Sequence, residues 1–239
     1  MKQMNGADTM TNYLEPTPWD QRNFRVPTYQ LTEYSVEALQ ETQDTEGHFT
    51  VKVDPFTDKE NLKKFGFYYV DTLMEPVCKK EQLLVPKESE IRFAREYDKK
   101  EILDIAEEAF AGGRFHRDFN IPDYMADKRY RNWVNDLIQK NLILALYFDG
   151  SLAGFFAYEN DHILLLAMHK KFRGKGLAKD FAGSCVQEQF KITGYDTLRT
   201  SISPSNPASL NVFISLGFRL KGSIDVYHKL NGSLQAGGE

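Results

Sequence analysis

The segment that most constrains the fold is an apolar run followed directly by a cationic turn that contains glycine. The run HILLLAMH begins at His162, the turn KKFRGKG follows it, and the helical pattern LAKDFAGSCVQEQFKITG then extends to Gly194. A short run of this apolar character is typical of a strand buried on both faces. A buried strand that leads through a tight turn into a helix predicts an α/β fold.

The same turn has the composition of an anion-binding site. Gly174 and Gly176 let the backbone approach a ligand without a Cβ in the way, and Arg173 and Lys175 add positive charge. The first N–H groups of the following helix have no partners within the helix, and the helix dipole favours a negative ligand there. The turn therefore fits a polyphosphate cradle, and a solvated basic turn without a function is the alternative.

Strand and helix patterns alternate through the rest of residues 90–230 and predict a domain built around a mixed sheet. Within it, LILALYFDGSLAGFFAYEN has two apolar runs joined at Asp149 and Gly150, which predicts a β-hairpin. The helical pattern NPASLNVFISLG is then followed by a final strand or hairpin, FRLKGSIDVYHKL.

A smaller α/β domain is expected before it, at residues 14–78. Its signals are a helix in TEYSVEALQETQ, with Thr32 as N-cap, and strands in HFTVKV and GFYYVDTLM. Residues 79–89 are the predicted linker, and residues 1–13 and 231–239 are expected to be loose. A Gly-Phe pair recurs between a helix and a strand in FGFYYVD and LGFRL, which fits a duplicated half-domain, with coincidence as the alternative.

Charge and composition argue against several function classes. The chain has 239 residues and a net charge of −4, so its surface offers no broad attraction to nucleic acid or to an anionic membrane. Cys78 and Cys185 are far apart and lack metal-ligand spacing, so no metal is predicted. The start MKQMNGADTM has no signal-peptide core and no apolar run approaches membrane-spanning length, so a cytoplasmic protein is expected.

The turn and its surroundings resemble a known family. FRGKGLA fits the Arg/Gln-x-x-Gly-x-Gly/Ala signature of the GNAT superfamily of N-acetyltransferases, with Arg173, Gly176 and Ala178 in the defining places. The similarity continues into SPSNPASLNVFISLGF and covers residues 90–230. The resemblance implies a GNAT fold with a mixed central sheet, a partial GNAT-like N-terminal domain, and acetyl-CoA as co-substrate.

The resemblance also implies which residues contact acetyl-CoA. The signature loop would hold the pyrophosphate, and the strand before it would splay from its neighbour to bind the pantetheine arm. The N–H of Met168 would meet the acetyl carbonyl oxygen, and Asn206 would contact the cofactor or simply cap its helix. The implied cofactor contacts are Leu166, Ala167, Met168, Arg173, Gly174, Lys175, Gly176, Leu177, Ala178, Asn206, Ser209 and Phe213.

One position departs from the family pattern. A Tyr on the helix after the fifth GNAT strand often protonates the CoA sulfur, and Phe213 stands at the matching place. Phe has no proton to give, so Tyr227, water or no acid at all are the alternatives. The last is chemically reasonable because a thiol with a pKa near ~8.5 can leave as a thiolate.

A closer similarity exists to the TDP-fucosamine acetyltransferase group within the superfamily. WDQRNF resembles its N-terminal segment, although Asn23, Phe24 and Arg25 depart from the group's Phe-Phe-Gly, and FAGGRFHRDF and YHKL resemble later regions. The similarity implies direct acetyl transfer, in a ternary complex, to the amino group of a nucleotide-linked aminodeoxy sugar, with TDP as the expected nucleotide. Trp19 and Tyr124 could stack on the base or the sugar, and core packing is the alternative for both.

The loop GGRFHRDF, residues 112–119, is the candidate acceptor loop. Arg114, His116 and Arg117 could meet the diphosphate, because guanidinium forks match phosphate oxygens. His116 could also act as the base that deprotonates the acceptor amine. An ordinary polar loop is the alternative.

Two other functions remain open. The chain could acetylate a protein N-terminus or a polyamine, although a polyamine favours an acidic cleft and RFHR predicts a basic one. It could also be a non-catalytic module that binds acetyl-CoA, which Phe213 suggests. Whether the chain forms a homodimer is also open.

Overall fold

The computed structural model describes residues 13–84, 90–110 and 112–234. Within these ranges, ten strands form one sheet, accompanied by seven α-helices. The strands are β1 (Leu14–Pro16), β2 (Thr28–Leu31), β3 (Gly47–Val53), β4 (Tyr68–Lys79), β5 (Arg92–Ala94), β6 (Ile143–Phe148), β7 (Ser151–Glu159), β8 (His162–Met168), β9 (Thr197–Thr200) and β10 (Arg219–Asn231). The helices are α1 (Pro18–Phe24), α2 (Val36–Asp44), α3 (Glu60–Lys64), α4 (Lys99–Ala109), α5 (Asp123–Gln139), α6 (Ala178–Thr193) and α7 (Pro207–Ser215).

The sheet is mixed, as predicted, with the strand order β1-β2-β3-β10-β4-β9-β8-β7-β6-β5. Neighbouring strands of the sheet are antiparallel, except that β2 runs parallel to β3 and β8 runs parallel to β9. A helix connects each parallel pair, α2 for the first and α6 for the second. Strands joined through helices in this way make the α/β class predicted from the sequence.

The C-terminal strand brings both predicted domains into one sheet. β10 lies between β3 and β4, so that Tyr227 faces Val51 on one side and Tyr69 on the other. β4 extends to Lys79 and is followed by a 3-10 helix, and residues 85–89 of the predicted linker lie outside the described residues. Strands from both predicted domains are therefore hydrogen-bonded in one sheet. The boundary between the two domains stays a prediction.

One helix begins later than predicted, and one turn is confirmed. Ser35, not Thr32, is the N-cap of α2, because the Ser35 hydroxyl accepts from the Ala38 N–H at 3.2 Å while the Thr32 N–H bonds back to the residue before β1. The predicted hairpin joins β6 to β7 through Asp149 and Gly150, whose φ angles are 50° and 67°. Two successive positive φ angles match a two-residue turn between twisted antiparallel strands.

Two apolar layers cover the sheet around β6. On one face, Phe181 of α6 shares a buried cluster with Leu146. On the opposite face, Ile102 of α4 and Val134 of α5 share a second cluster with Ala145. Since neighbouring residues of a strand point to opposite faces, β6 contributes to both layers and fixes the helices on either side.

The predicted loose ends of the chain are only partly described. Residues 1–12 and 235–239 lie outside the described residues, and Asn231 still belongs to β10. Within the described part of the chain, no helix combines the length and apolar character needed to cross a bilayer.

Candidate active site

Two parallel strands, β8 and β9, pair only at one end and leave a notch in the sheet. The register joins His162 with Arg199 and Ile163 with Thr200, and among the described residues of the two strands no further pair follows. β8 nevertheless continues to Met168. Its edge toward β9 is therefore open over most of its length, so backbone groups there are available to a ligand.

A bulge in β8 coincides with the point where the pairing ends. On the β7 side, Ala157 faces Leu165 and Tyr158 faces Ile163, which leaves Leu164 without an opposite residue. An extra residue of this kind bends its strand. The bend occurs where β8 leaves β9, as the predicted splay requires.

The apolar run of β8 is not buried on both faces, contrary to the prediction from its sequence. Leu165 and Ala167 are buried in the layer formed with α4 and α5. Leu166 and Met168 point to the other layer and are only partly buried. The prediction is wrong there because β9 diverges and does not complete that layer, so Leu166 and Met168 stay partly exposed beside an open strand edge.

The loop between β8 and α6 has the backbone of an anion cradle. Gly174 and Gly176 have φ angles of 71° and 77°, a left-handed conformation that costs other residues about 1–2 kcal/mol. α6 begins at Ala178, and Leu177 before it provides no side-chain cap. The first N–H groups of α6 are thus left for another acceptor, and a phosphate would suit them.

Arg173 and Lys175, the two cations of this loop that flank Gly174, are held differently. Arg173 Nε donates to the Met168 carbonyl oxygen at 2.7 Å, and Arg173 Nη1 donates to the Glu108 carbonyl oxygen at 3.3 Å. Arg173 therefore ties the loop to the end of β8 and to α4. Lys175 is exposed and forms no ion pair among the described residues, with its Nζ 5.9 Å from the centre of the Phe172 ring. Lys175 is therefore available to a phosphate, as is Lys171, which is also exposed and forms no ion pair among the described residues.

The start of α7 confirms one predicted role of Asn206. Its Oδ1 accepts from the Ser209 N–H at 3.1 Å, so Asn206 caps the helix. Phe213, further along α7, is 3% exposed, and its ring meets Phe218 edge-on at 5.0 Å. The side chain of Phe213 belongs to the core, and its contact with the cofactor stays a prediction.

Tyr227, the alternative acid, faces the N-terminal layer of the sheet. It packs against the cluster that contains Leu39 and Phe49, and its ring lies edge-on to Tyr69 at 5.7 Å. Burial and the carboxylate of Asp225 raise the pKa of Tyr227. A raised pKa weakens a phenol as a proton donor, so these contacts add no support to the predicted role.

Arg117 fastens the acceptor loop to the sheet. Its Nη1 donates to the carbonyl oxygen of Gly112 at 3.0 Å and to Ser205 Oγ at 2.6 Å. Its Nε donates to the Val70 carbonyl oxygen at 3.2 Å, and its Nη2 pairs with Asp71. Because its donors are occupied, Arg117 has little capacity left for a diphosphate and holds the loop beside the segment that leads into α7.

His116 is held in place by a carboxylate and an aromatic ring. Its Nε2 lies 2.9 Å from Asp127 Oδ1, and its ring stacks on Tyr130 with the centroids 5.7 Å apart. Its Nδ1 is buried and has no hydrogen-bond partner among the described residues. If Asp127 accepts from Nε2–H, Nδ1 is the ring nitrogen left to accept a proton, and the role of His116 as a base stays a prediction. Asp127 is not among the predicted residues, because its spacing from His116 forms no motif.

Arg114 is a cation without a hydrogen-bonded counter-ion among the described residues. It makes no hydrogen bond and no ion pair there, and its guanidinium carbon lies 4.8 Å from the centre of the Phe115 ring. Burial, and after it the charge of Arg129, lowers the pKa of Arg114. Burial and then the charge of Arg114 also lower the pKa of Lys52, although the Lys52 side chain keeps an exposed surface. Lys52 is exposed and Arg114 is half-buried, and an anion bound beside them would offset the repulsion between the two positive charges.

The strand register places Lys52 under the acceptor loop. Val226 pairs with both Lys52 and Asp71, so the three side chains project from one face of the sheet. Arg117 of the acceptor loop reaches Asp71 on that face. Lys52 was not predicted as a site residue because it looks like any outward residue of an alternating strand.

The two aromatic residues predicted to stack on a ligand are exposed. Trp19 is 49% exposed and lines a cavity of about 470 Å³ together with Arg129, Trp133 and Leu164. Tyr124 is also exposed, near the start of α5. Since Leu164 is the bulged residue of β8, the cavity reaches the strand that borders the notch, and its volume suits a small ligand.

Comparison with known sequences identifies the second part of the chain. The family model described as the acetyltransferase (GNAT) domain matches residues 90–219, which is more than half of the chain. No curated protein has significant sequence similarity to the chain.

Solved structures share this architecture at low sequence identity. A GCN5-related N-acetyltransferase from Sphaerobacter thermophilus is 13% identical with a TM-score of 0.56, over 84% of this chain and 67% of that one. A functionally unknown protein from Staphylococcus epidermidis is 13% identical with a TM-score of 0.58, over 89% of both chains. A tandem GNAT protein from the clavulanic acid biosynthesis pathway is 12% identical with a TM-score of 0.53, over 86% of this chain and 75% of that one. These likenesses show the fold, and the family model with its signature loop shows that the chain belongs to the GNAT acetyltransferases and is an acyltransferase.

Proposed function

We propose that the protein transfers the acetyl group of acetyl-CoA to the amino group of a nucleotide-linked aminodeoxy sugar, with TDP as the nucleotide, by direct transfer in a ternary complex. The observation that carries the acceptor part is Arg114, a guanidinium of the acceptor loop that makes no hydrogen bond and no ion pair among the described residues. A diphosphate would supply the hydrogen-bonded anion that it lacks.

The donor side of the proposal rests on the notch and the loop. The left-handed backbone at Gly174 and Gly176, the uncapped start of α6 and the free charge of Lys175 suit a pyrophosphate. The open edge of β8 suits an extended chain with amide groups, as in pantetheine. Acetyl-CoA would supply an acetyl thioester at the end of β8, where the Met168 N–H stays the predicted donor to the carbonyl oxygen.

A base is needed because an unperturbed alkyl ammonium has a pKa of ~10.4 and is charged at neutral pH. His116 would take that proton at Nδ1, with Asp127 holding the other ring nitrogen. Arg117 supports this placement, since it ties the acceptor loop to Ser205 in the segment that follows β9. The base is thereby held on the side of the sheet where the notch opens.

No side chain is assigned as the acid for the leaving thiol. Phe213 is buried in the core, and the pKa of Tyr227 is raised. With a thiol pKa near ~8.5, the thiolate can leave and take a proton from water. Turnover would then need no acid on α7.

The charge beside the acceptor loop favours a nucleotide sugar over a polyamine. Arg114 and Lys52 lie on the side of the sheet that the loop covers, and a polycation would be repelled by both. An anionic diphosphate would be attracted, and Trp19 in its cavity is available to stack on a base.

The test is a mass-spectrometric assay with acetyl-CoA and a panel of TDP-linked 3-amino and 4-amino dideoxyhexoses, spermidine and a free-amino peptide. We expect one acetyl group on one sugar nucleotide, with an equal amount of free CoA. Product on spermidine or on the peptide alone would contradict the sugar assignment, and acetyl-CoA binding without any product would favour a non-catalytic module.

A matched pair of variants tests the role of Arg114. Loss of a charged hydrogen bond worth about 1.5–3 kcal/mol predicts that Arg114→Gln raises the KM for the sugar nucleotide by about 10- to 150-fold. The KM for acetyl-CoA should not change. Arg131→Gln is the control, because Arg131 is an exposed arginine that pairs with Glu107. Equal effects of the two variants would refute the assignment.

A further inference from the structure

Three buried side chains from distant parts of the chain converge beneath the acceptor loop. They are His48 of β3, Asp118 of the loop and His228 of β10, with exposures of 2%, 1% and 0%. Asp118 Oδ2 lies 2.9 Å from His48 Nε2 and 2.8 Å from His228 Nδ1. One donor atom from each residue lies within 4.8 Å of the other two.

The second oxygen of Asp118 is held by separate partners. Tyr68 donates its hydroxyl to Oδ1 at 2.8 Å, and the Asn120 N–H donates to Oδ1 at 2.9 Å. The Asn120 side chain in turn donates to the Tyr68 oxygen at 2.8 Å. Outer partners of this type orient the ligating carboxylates of metal sites. They leave Oδ2 directed at the two imidazoles.

Aromatic rings surround the cluster. His228 Nε2 is buried without a hydrogen-bond partner among the described residues, so Nδ1, which faces Asp118, is the ring nitrogen that can share a ligand with the carboxylate. Phe115 is stacked on His228 at 5.4 Å, and Phe24 is tilted against His48 at 5.8 Å. These aromatic rings offer no hydrogen-bond partners to the polar atoms of the cluster.

Asp118 lacks a lysine or arginine partner within the described part of the chain. Among the described residues, it pairs only with the two histidines. Buried carboxylates in proteins are paired with a cation or coordinate a metal.

We propose that His48 Nε2, His228 Nδ1 and Asp118 Oδ2 form a binding site for a divalent transition-metal ion, and that Zn²⁺ is the ion their donors match. Imidazole nitrogen and carboxylate oxygen are common zinc ligands, with bonds of about 2.0–2.2 Å. Tetrahedral bonds of this length put neighbouring donors roughly 3.3–3.5 Å apart, so each short pair would open by about 0.5 Å. Three protein ligands leave the fourth position to water.

The site would fasten the acceptor loop to the sheet. Its ligands join β3, β10 and the loop across 70 and 110 residues of chain. The acetyl-CoA loop contributes none of them. Zn²⁺ should therefore stabilise the protein and order the acceptor loop, while the affinity for acetyl-CoA stays the same.

The experiment uses the full-length untagged protein, stripped with EDTA, desalted and dialysed against Zn²⁺ or Co²⁺. We expect one equivalent of metal by elemental analysis, a visible Co²⁺ spectrum of a four-coordinate nitrogen and oxygen site, and a saturable rise in melting temperature. Wild-type protein that binds less than a tenth of an equivalent and shows no rise would overturn the proposal.

Variants locate the site. His48→Gln and His228→Asn keep polar side chains but remove the imidazole ligands, and both should lose the bound metal and the rise in melting temperature. His162→Gln is the matched control, because His162 is a half-buried histidine outside the cluster. Stoichiometric binding that survives both cluster variants would place the metal elsewhere and also overturn the proposal. If a variant does not fold, the stoichiometry and the Co²⁺ spectrum of the wild type still decide.

Discussion

Replacing Gly176 by alanine should have two effects that can be measured separately: a small loss of stability from backbone strain and a larger loss of affinity for acetyl-CoA. The φ angle of Gly176 is 77°, and a Cβ at this position would meet no atom within 4 Å. The only cost to the free protein is therefore the left-handed backbone, about 1–2 kcal/mol. For a chain of this length, that cost lowers the melting temperature by roughly 2–8 °C.

The effect on acetyl-CoA should be larger than this strain suggests. If the loop relaxes to relieve φ, the N–H groups at the start of α6 no longer point at the pyrophosphate, and a hydrogen bond to a charged group is lost. Such a bond is worth about 1.5–3 kcal/mol, which converts to a fall in affinity of about 10- to 150-fold. Titration calorimetry with acetyl-CoA measures the affinity, and thermal melting measures the strain.

Gly150→Ala is the matched control for this experiment. Gly150 lies in the β6–β7 turn with a φ angle of 67°, and a Cβ there would also meet no atom within 4 Å. Both variants should lose similar stability, and only Gly176→Ala should lose affinity for acetyl-CoA. Equal affinities in the two variants would refute the assignment of the loop as the pyrophosphate cradle.

Three further predictions follow from buried groups. Phe213→Tyr should lower the melting temperature without raising kcat, because the added hydroxyl would enter the core beside Phe218. A higher kcat would show that an acid at this position contributes to catalysis. Cys78 and Cys185 are buried, which raises the pKa of Cys78 to about 11 and that of Cys185 well above its usual value. A thiol reagent at pH 8 should therefore label both only after unfolding, and rapid labelling of the native protein would contradict their burial. Burial lowers the pKa of His162 below its ordinary value of 6.5. As the pH falls, His162 is therefore protonated in the unfolded chain before it is protonated in the folded protein. The free energy of unfolding should then fall as the pH drops below about 6.5. His162→Gln should reduce this slope in denaturant titrations at pH 5 to 7, and an unchanged slope would argue against it.

The donor side of the site could be predicted because its signals are local in the sequence. One continuous segment supplies the strand, the glycine turn and the start of α6, and the capping role of Asn206 follows from its place before Pro207. Local patterns also predicted the Asp149-Gly150 hairpin. What they could not show is the bulge at Leu164, because a bulge depends on the partner strand and not on the residue itself.

The sequence also could not show which strands pair over long distances in the chain. The pattern of β10 indicates a strand or a hairpin, but nothing in it indicates insertion between β3 and β4. That insertion puts Lys52 on the face covered by the acceptor loop and His228 next to His48. The same pairing explains why the proposed metal site has no recognisable ligand spacing.

The acceptor loop shows why charge in a sequence does not identify a binding residue. Arg114 and Arg117 stand three positions apart in RFHR, and a sequence gives both the same weight as phosphate ligands. In the structure, the donors of Arg117 are bonded to partners that include Asp71 and Ser205, whereas Arg114 makes no hydrogen bond and no ion pair among the described residues. An arginine whose donors are bonded to protein groups would have to break those bonds to take a ligand, while one without such bonds gives up only water. The partners of each cation, contributed by strands and turns far away in the chain, decide which of the two is available to substrate.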